Sequence, residues 1–106
     1  MAQRPLNLPE LGLLVYLLRG AADAERLLGQ LPVARVADIT AHGVGSLRFV
    51  GPMPERRLGA IAGRTHFLDD DGVPVFVALY LDRAGELYEL DCWKADASPV
   101  HRIPAF

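Results

Sequence analysis

The N-terminal third of the chain carries apolar residues at helical spacing. They recur at i, i+3, i+4 and i+7, which is one face of a helix: Leu11, Leu14, Val15 and Leu18. Leu8-Pro9-Glu10 suits a helix start, because proline fits the first turn and an acid there favours the helix dipole. Gly20 then interrupts the pattern, and a second helix is predicted at about 22–31, ending at Pro32.

From Val33 onward the apolar period changes from helical to alternating. Alternation of this kind, broken by glycine and proline turns, predicts strands at 33–39, 46–50, 59–69, 73–82 and 86–94. The stretch 51–57 holds two prolines and is expected to be a loop. The prediction is one α+β domain over 1–106, with two helices (about 8–31) packed on one face of an antiparallel sheet of about five strands (about 33–94), followed by an irregular tail over 95–106.

The acidic turn Asp69–Gly72 sets the register of the first hairpin. If its glycine takes the left-handed position of a three-residue loop with a bulge, Phe67 faces Val75. A register shifted by one residue would place Arg64 and His66 on the core face, and burying them unpaired would cost several kcal/mol. The first register is therefore preferred.

The next connection, Asp82–Gly85, is read as a four-residue loop, which makes Val77 face Leu90. One side of the sheet is then apolar and is predicted to be the core face: Ile61, Phe67, Val75, Val77, Leu79, Leu81, Tyr88, Leu90 and Cys92.

The opposite side mixes charged and aromatic residues: Arg64, His66, Phe76, Ala78, Tyr80, Leu87, Glu89, Asp91 and Trp93. In the predicted register its rows are Arg64–Ala78–Glu89 and His66–Phe76–Asp91. The outer members of a row lie about 10 Å apart, which is two strand spacings. Arg64 is therefore expected to reach Glu89 across the small Ala78.

Seven residues of this side form the candidate site, and we call them the polar face: Arg64, His66, Phe76, Tyr80, Glu89, Asp91 and Trp93. Trp, Tyr and Arg are common anchors of protein interfaces, which favours a partner-binding patch. A small-ligand site is the alternative if a loop or the tail walls the face in. The plain interpretation is a solvated sheet face crossed by charge pairs and partly covered by the tail, with Trp93 packed against Pro74.

The residue inventory offers little catalytic chemistry. His66 with Asp91 or Glu89 is the one pairing typical of general base catalysis, against the simpler interpretation of a surface histidine. No CxxC, HExxH, phosphate loop or nucleophile elbow is present, and the acidic turn lacks the ligand spacing of an EF-hand. No catalytic residue, metal site or cofactor is predicted, and Cys92 is expected to be an inert buried thiol.

Net charge and hydropathy limit the classes of partner that this chain is expected to bind. The net charge is −2 with no basic tail, which disfavours nucleic acid, and no apolar run approaches the roughly 20 residues that span a bilayer. The apolar run at 11–18 is interpreted as a core helix rather than a signal peptide, so a cytoplasmic protein is expected. Ten arginines against one lysine suggest a GC-rich bacterial genome.

The C-terminal half resembles a small bacterial domain family of unknown function. The resemblance rests on GSLRF at 45–49, DGVPV at 71–75 and GELYELDCWK at 85–94, followed by Asp96 and Ser98-Pro99. It covers about 55 residues, with a looser match to the leucine-rich helices. The resemblance implies a small cytoplasmic α+β domain and supplies no activity and no catalytic residues.

Together these features predict a non-catalytic cytoplasmic bacterial domain that binds a protein partner or itself, in an accessory role such as toxin neutralisation or regulation. The competing prediction is a small-ligand-binding or hydrolytic enzyme that uses His66 with Asp91 or Glu89. Self-association through an edge strand is a further interpretation, with 33–40 and 46–50 as the candidate edges.

Overall fold

The computed structural model describes residues 2–51 and 56–106. Its helices are α1 (Leu8–Leu18), α2 (Ala24–Gln30) and a short 3-10 turn (Leu31–Val33). Its strands are β1 (Arg4–Pro5), β2 (Arg35–Asp38), β3 (Leu47–Phe49), β4 (Leu58–Leu68), β5 (Pro74–Asp82) and β6 (Leu87–Lys94). Part of the loop predicted over 51–57 lies outside the described residues.

Helix α1 begins where the sequence predicts. The Asn7 side chain accepts a hydrogen bond from the backbone N–H of Glu10, and the Glu10 carboxylate accepts one from the N–H of Asn7, which is a complete capping box. Helix α2 is shorter than the predicted 22–31, since the chain tightens into a 3-10 turn at Pro32. Leu13, Leu14, Leu17 and Leu18 of α1 and Leu27 of α2 are buried.

The α+β fold is confirmed, with one strand more than expected. The described residues form six strands, which pair antiparallel in the order β1-β2-β3-β6-β5-β4. The additional strand is β1, the N-terminal lead-in, whose Arg4 faces Val36 of β2. A two-residue strand carries no periodic pattern, so hydrophobic alternation could not predict it.

The edges of the sheet are β1 and β4, because all other strands have neighbours on both sides. The candidate edges at 33–40 and 46–50 are therefore wrong, since β2 and β3 lie inside the sheet. The lead-in covers one side of β2, and β6 covers the far side of β3.

The first hairpin has the predicted register. Phe67 faces Val75, Thr65 faces Val77, and Gly72 has a φ of 80°, the left-handed conformation that the turn requires.

The predicted register of the second hairpin is wrong by two residues. Val77 faces Cys92 instead of Leu90. One residue of the shift comes from a tighter turn, in which the N–H of Asp82 donates to the carbonyl of Glu86. The other comes from a β-bulge in β6. Leu81 faces Leu87 and its neighbour Tyr80 faces Glu89, so Tyr88 is an extra residue on the β6 side.

These irregularities explain the errors in the predicted core face. Ile61 faces Tyr80 on the polar side and is 38% exposed, because β4 carries register shifts on both sides of Ile61. Tyr88 is only half-buried, and Leu87, expected on the polar side, is buried in the core. The remaining predicted core residues are buried or pack against the core: Phe67, Val75, Val77, Leu79, Leu81, Leu90 and Cys92.

The irregular C-terminal tail packs on the helix side of the sheet. Val100 is buried in the core and bridges to the backbone of Gly43. The Phe106 ring lies 5.2 Å from that of Tyr16 on α1 and 5.9 Å from that of Phe67. The described contacts of the tail thus join the core layer and leave the polar face open.

Candidate functional site

The register shift regroups the residues of the polar face. Its rows are Arg64–Ala78–Asp91 and His66–Phe76–Trp93, so both predicted rows are wrong. Because the shift is an even number of residues from Glu89 onward, the seven residues of the polar face stay on the predicted side of the sheet and only their neighbours change. Trp93 accordingly packs near Phe76, with ring centroids 6.0 Å apart, and not opposite Pro74.

The new rows separate His66 from the carboxylates suggested as its partners. Asp91 lies opposite Ala78 and Glu89 lies opposite Tyr80, whereas His66 shares its row with two aromatic rings. His66 forms no ion pair within 4 Å among the described residues. The described residues therefore do not hold His66 against a carboxylate, and the hydrolytic interpretation stays a prediction.

A hollow of about 550 Å³ lies on the polar face, and we call it the Ala78 hollow. Ala78 is only 3% exposed although it points away from the core, because larger side chains surround it. These are Ile61, Arg64, His66, Phe76, Tyr80 and Trp93. The hollow is therefore an apolar, ring-lined depression with basic groups at one side.

The carboxylates of the polar face are engaged on the β6 side. Glu89 forms an ion pair with Arg48 of β3, at 2.5 Å, rather than with Arg64 as expected. Asp91 accepts a hydrogen bond from the Ser46 hydroxyl at 3.3 Å. Arg64 has no carboxylate within 4 Å among residues 2–51 and 56–106. Within the described residues, the β4 side thus presents a guanidinium that no carboxylate pairs with.

Sequence reasoning missed the arginine and tyrosine cluster beside this face. The Arg48 guanidinium lies 4.6 Å from the ring centre of Tyr88, and that of Arg56 lies 5.1 Å from the same ring. Arg56 also pairs with the buried Asp82 at 3.0 Å. The sequence did indicate that Arg48 faces away from the core, because it lies between two core residues of β3. The position of Tyr88 could not be predicted, because it depends on the irregularity in β6.

The acidic turn is confirmed as a hairpin turn, and it also anchors the tail. Lys94, buried at the end of β6, pairs with Asp69 at 3.1 Å and Asp71 at 2.5 Å. Asp69 accepts the backbone N–H of His101, and Asp70 pairs with Arg102. These three carboxylates therefore stabilise the turn and hold the tail against it.

The lone cysteine is positioned as an inert thiol. Cys92 is fully buried in the core, and burial raises its pKa to about 12. Within the described part of the chain, no three His, Cys, Asp or Glu side chains form a group that could hold a metal ion.

Another hollow, of about 720 Å³, lies between the start of α1 and the tail. Its two arginines are already paired: Arg4 with Glu10 and Asp38, both at 2.6 Å, and Arg102 with Asp70 at 2.8 Å. We therefore place the candidate site on the polar face, where Arg64 has no described carboxylate within 4 Å.

The structure defines a small α+β domain whose sheet is covered by helices and tail on one face, while no described helix or tail residue covers the other. The chain belongs to the family described as Domain of unknown function (DUF6984), which matches residues 3–104. The match agrees with the predicted membership of a family of unknown function and covers nearly the whole chain. No curated protein and no solved structure matches the chain. Within the described residues, no helix has the length and apolar character needed to cross a membrane.

Proposed function

We propose that this chain is a non-catalytic protein-interaction domain of the bacterial cytoplasm, which presents its polar face to a protein partner. The observation that carries the proposal is that large apolar side chains are exposed on the polar face, which neither the helices nor the tail cover. Phe76 is 40% exposed there and Ile61 38% exposed. The outer face of an antiparallel sheet is usually polar, so exposed rings on it point to an interface.

The composition of the face supports binding rather than catalysis. Tryptophan, tyrosine and arginine, which dominate the binding energy of many interfaces, surround the buried methyl of Ala78. The charged groups at the rim would give specificity, and the rings would supply the buried area. An accessory role, regulatory or toxin-neutralising, suits a domain that acts by binding to a protein partner without catalysing a reaction.

Site-specific crosslinking tests the proposal. A photoreactive phenylalanine analogue replaces Phe76 in the cells of origin, and the matched control carries it at Val33, which is 80% exposed in the 3-10 turn away from the polar face. We expect a protein adduct of one defined mass from the first position and none from the second. Adding Trp93→Ala should abolish that adduct while the circular dichroism spectrum stays unchanged.

Two results would contradict the proposal. Equal adduct yields at both positions would mean that exposure alone governs crosslinking. Absence of any adduct at Phe76, in a protein that is expressed and folded, would mean that the polar face has no protein partner under those conditions.

A further inference from the structure

We propose that the Ala78 hollow binds an aromatic side chain that lies next to a carboxylate on the protein partner, the carboxylate pairing with Arg64. This inference rests on the proposed function and names the chemistry of the partner. It follows from the shape of the hollow, from its rings and from the distribution of charge around it.

The hollow is large enough to admit an aromatic side chain and is lined by rings. Its volume of about 550 Å³ lies within the range of small-molecule sites, and its floor is the methyl group of Ala78. Phe76 and Trp93 are tilted by 37° with centroids 6.0 Å apart. Aromatic rings favour offset or edge-to-face neighbours at such distances, so a third ring above Ala78 extends the cluster.

The charge at the rim selects an acid. Arg64 offers a planar guanidinium that matches a carboxylate with two parallel hydrogen bonds, and no described carboxylate occupies it within 4 Å. On the far side, Arg48 neutralises Glu89. Asp91 of β6 and Arg64 of β4 lie on opposite sides of Ala78. The negative charge of Asp91 therefore repels the partner's carboxylate towards Arg64. The arrangement thus orients the carboxylate as well as attracting it.

The single tryptophan makes occupancy directly measurable. Trp93 is the only tryptophan of the chain and lines the hollow, so its emission reports binding there. The probe is phenylacetate, which carries a ring and a carboxylate. The matched probes are phenylacetamide, which lacks the charge, and cyclohexylacetate, which lacks the aromatic ring. We expect saturable binding of phenylacetate, and at least about tenfold weaker binding of both others.

Two charge-matched variants test the role of Arg64. Arg64→Gln should weaken phenylacetate binding about tenfold, the usual scale for one charge-assisted pair. Arg83→Gln, which removes the same charge from the exposed turn between β5 and β6, should leave binding within about twofold of the parent chain. Ala78→Val should block the hollow without changing charge, and its folding is checked by thermal melting.

Several outcomes would overturn the inference. Equal affinity for phenylacetate and phenylacetamide, or equal losses in the two arginine variants, would show that Arg64 does not recognise the acid. If the Phe76 adduct still forms in that case, only the partner chemistry is wrong. Arg64-dependent binding of phenylacetate without any protein adduct would assign the hollow to a free acid and refute the protein partner. Displacement of the adduct by saturating phenylacetate is the result expected if both statements hold.

Discussion

Replacing Asp69 by asparagine should destabilise the fold far more than the same change at its neighbour Asp70. The Asp69 carboxylate is completely buried and pairs with Lys94 at 3.1 Å. It also accepts the backbone N–H groups of His101 and Asp70, both at 2.8 Å. It therefore links the first hairpin, the last strand and the tail through one buried group.

The expected magnitude follows from these contacts. Asparagine keeps one acceptor oxygen but loses the charge, and its amide group turns a donor towards donors. Losing charge-assisted hydrogen bonds and leaving a buried lysine partly unpaired costs about 3 kcal/mol. For a domain of this size that lowers the melting temperature by roughly 15 °C. Asp70→Asn breaks only an exposed pair with Arg102 and should cost less than about 1 kcal/mol.

The pH dependence gives an independent check on Asp69. Burial opposes its ionised form, but hydrogen bonds from His101, Asp70 and Lys94 outweigh burial and lower the pKa from 3.8 to about 2. A folded-state pKa below the unfolded value stabilises the fold at higher pH, and this contribution is lost as pH falls through 3.8 towards 2. The stability gap between the parent chain and Asp69→Asn should therefore be constant near neutral pH and narrow in acid.

Urea unfolding followed by tryptophan fluorescence at several pH values measures this gap. Equal losses in Asp69→Asn and Asp70→Asn at neutral pH would refute the role of the buried carboxylate. A gap that does not narrow below pH 3.8 would refute the electrostatic origin of the loss.

Three further outcomes are expected. Cys92 should react with a thiol reagent at neutral pH at least about 100-fold faster in urea than in the native protein, because burial raises its pKa to about 12. Gly63→Ala makes a Cβ clash with the backbone carbonyl of Leu17 and should cost about 2 kcal/mol in urea unfolding, whereas Gly20→Ala meets nothing within 4 Å and should not destabilise. Phe106→Ala removes two ring contacts and should cost about 1 kcal/mol, seen as a lower melting temperature.

The parts of the fold that follow local rules were predictable. Helix α1 combines a helical apolar face with a proline and an acid in its first turn, and its start matches the prediction. The first hairpin follows from Gly72, because a left-handed residue at that position fixes which residues of β4 and β5 face each other. Signals confined to a few neighbouring residues are enough to predict such elements.

The parts that depend on long-range contacts were not predictable. Strand β1 exists because Arg4 pairs with Asp38 and Glu10 while its backbone pairs with β2. The register shifts beside Ile61 turn that residue to the polar face, against the alternation of the sequence. Irregularities of this kind satisfy backbone pairing along the whole strand and leave no local trace in hydrophobic periodicity.

The candidate site shows how far a prediction from alternation reaches. Alternation predicts the face of a residue in a regular stretch of strand, and all seven residues chosen for the polar face remain outside the buried core. It does not fix which residues share a row, because a shift of two residues in β6 leaves Glu89, Asp91 and Trp93 on the same face. That shift moves Asp91 from the row of His66 to the row of Arg64 and brings Trp93 beside Phe76. The two interpretations of the face are affected differently: the enzyme alternative loses the row that joined His66 to Asp91, and the interaction prediction gains an aromatic hollow beside Arg64, which has no described carboxylate within 4 Å.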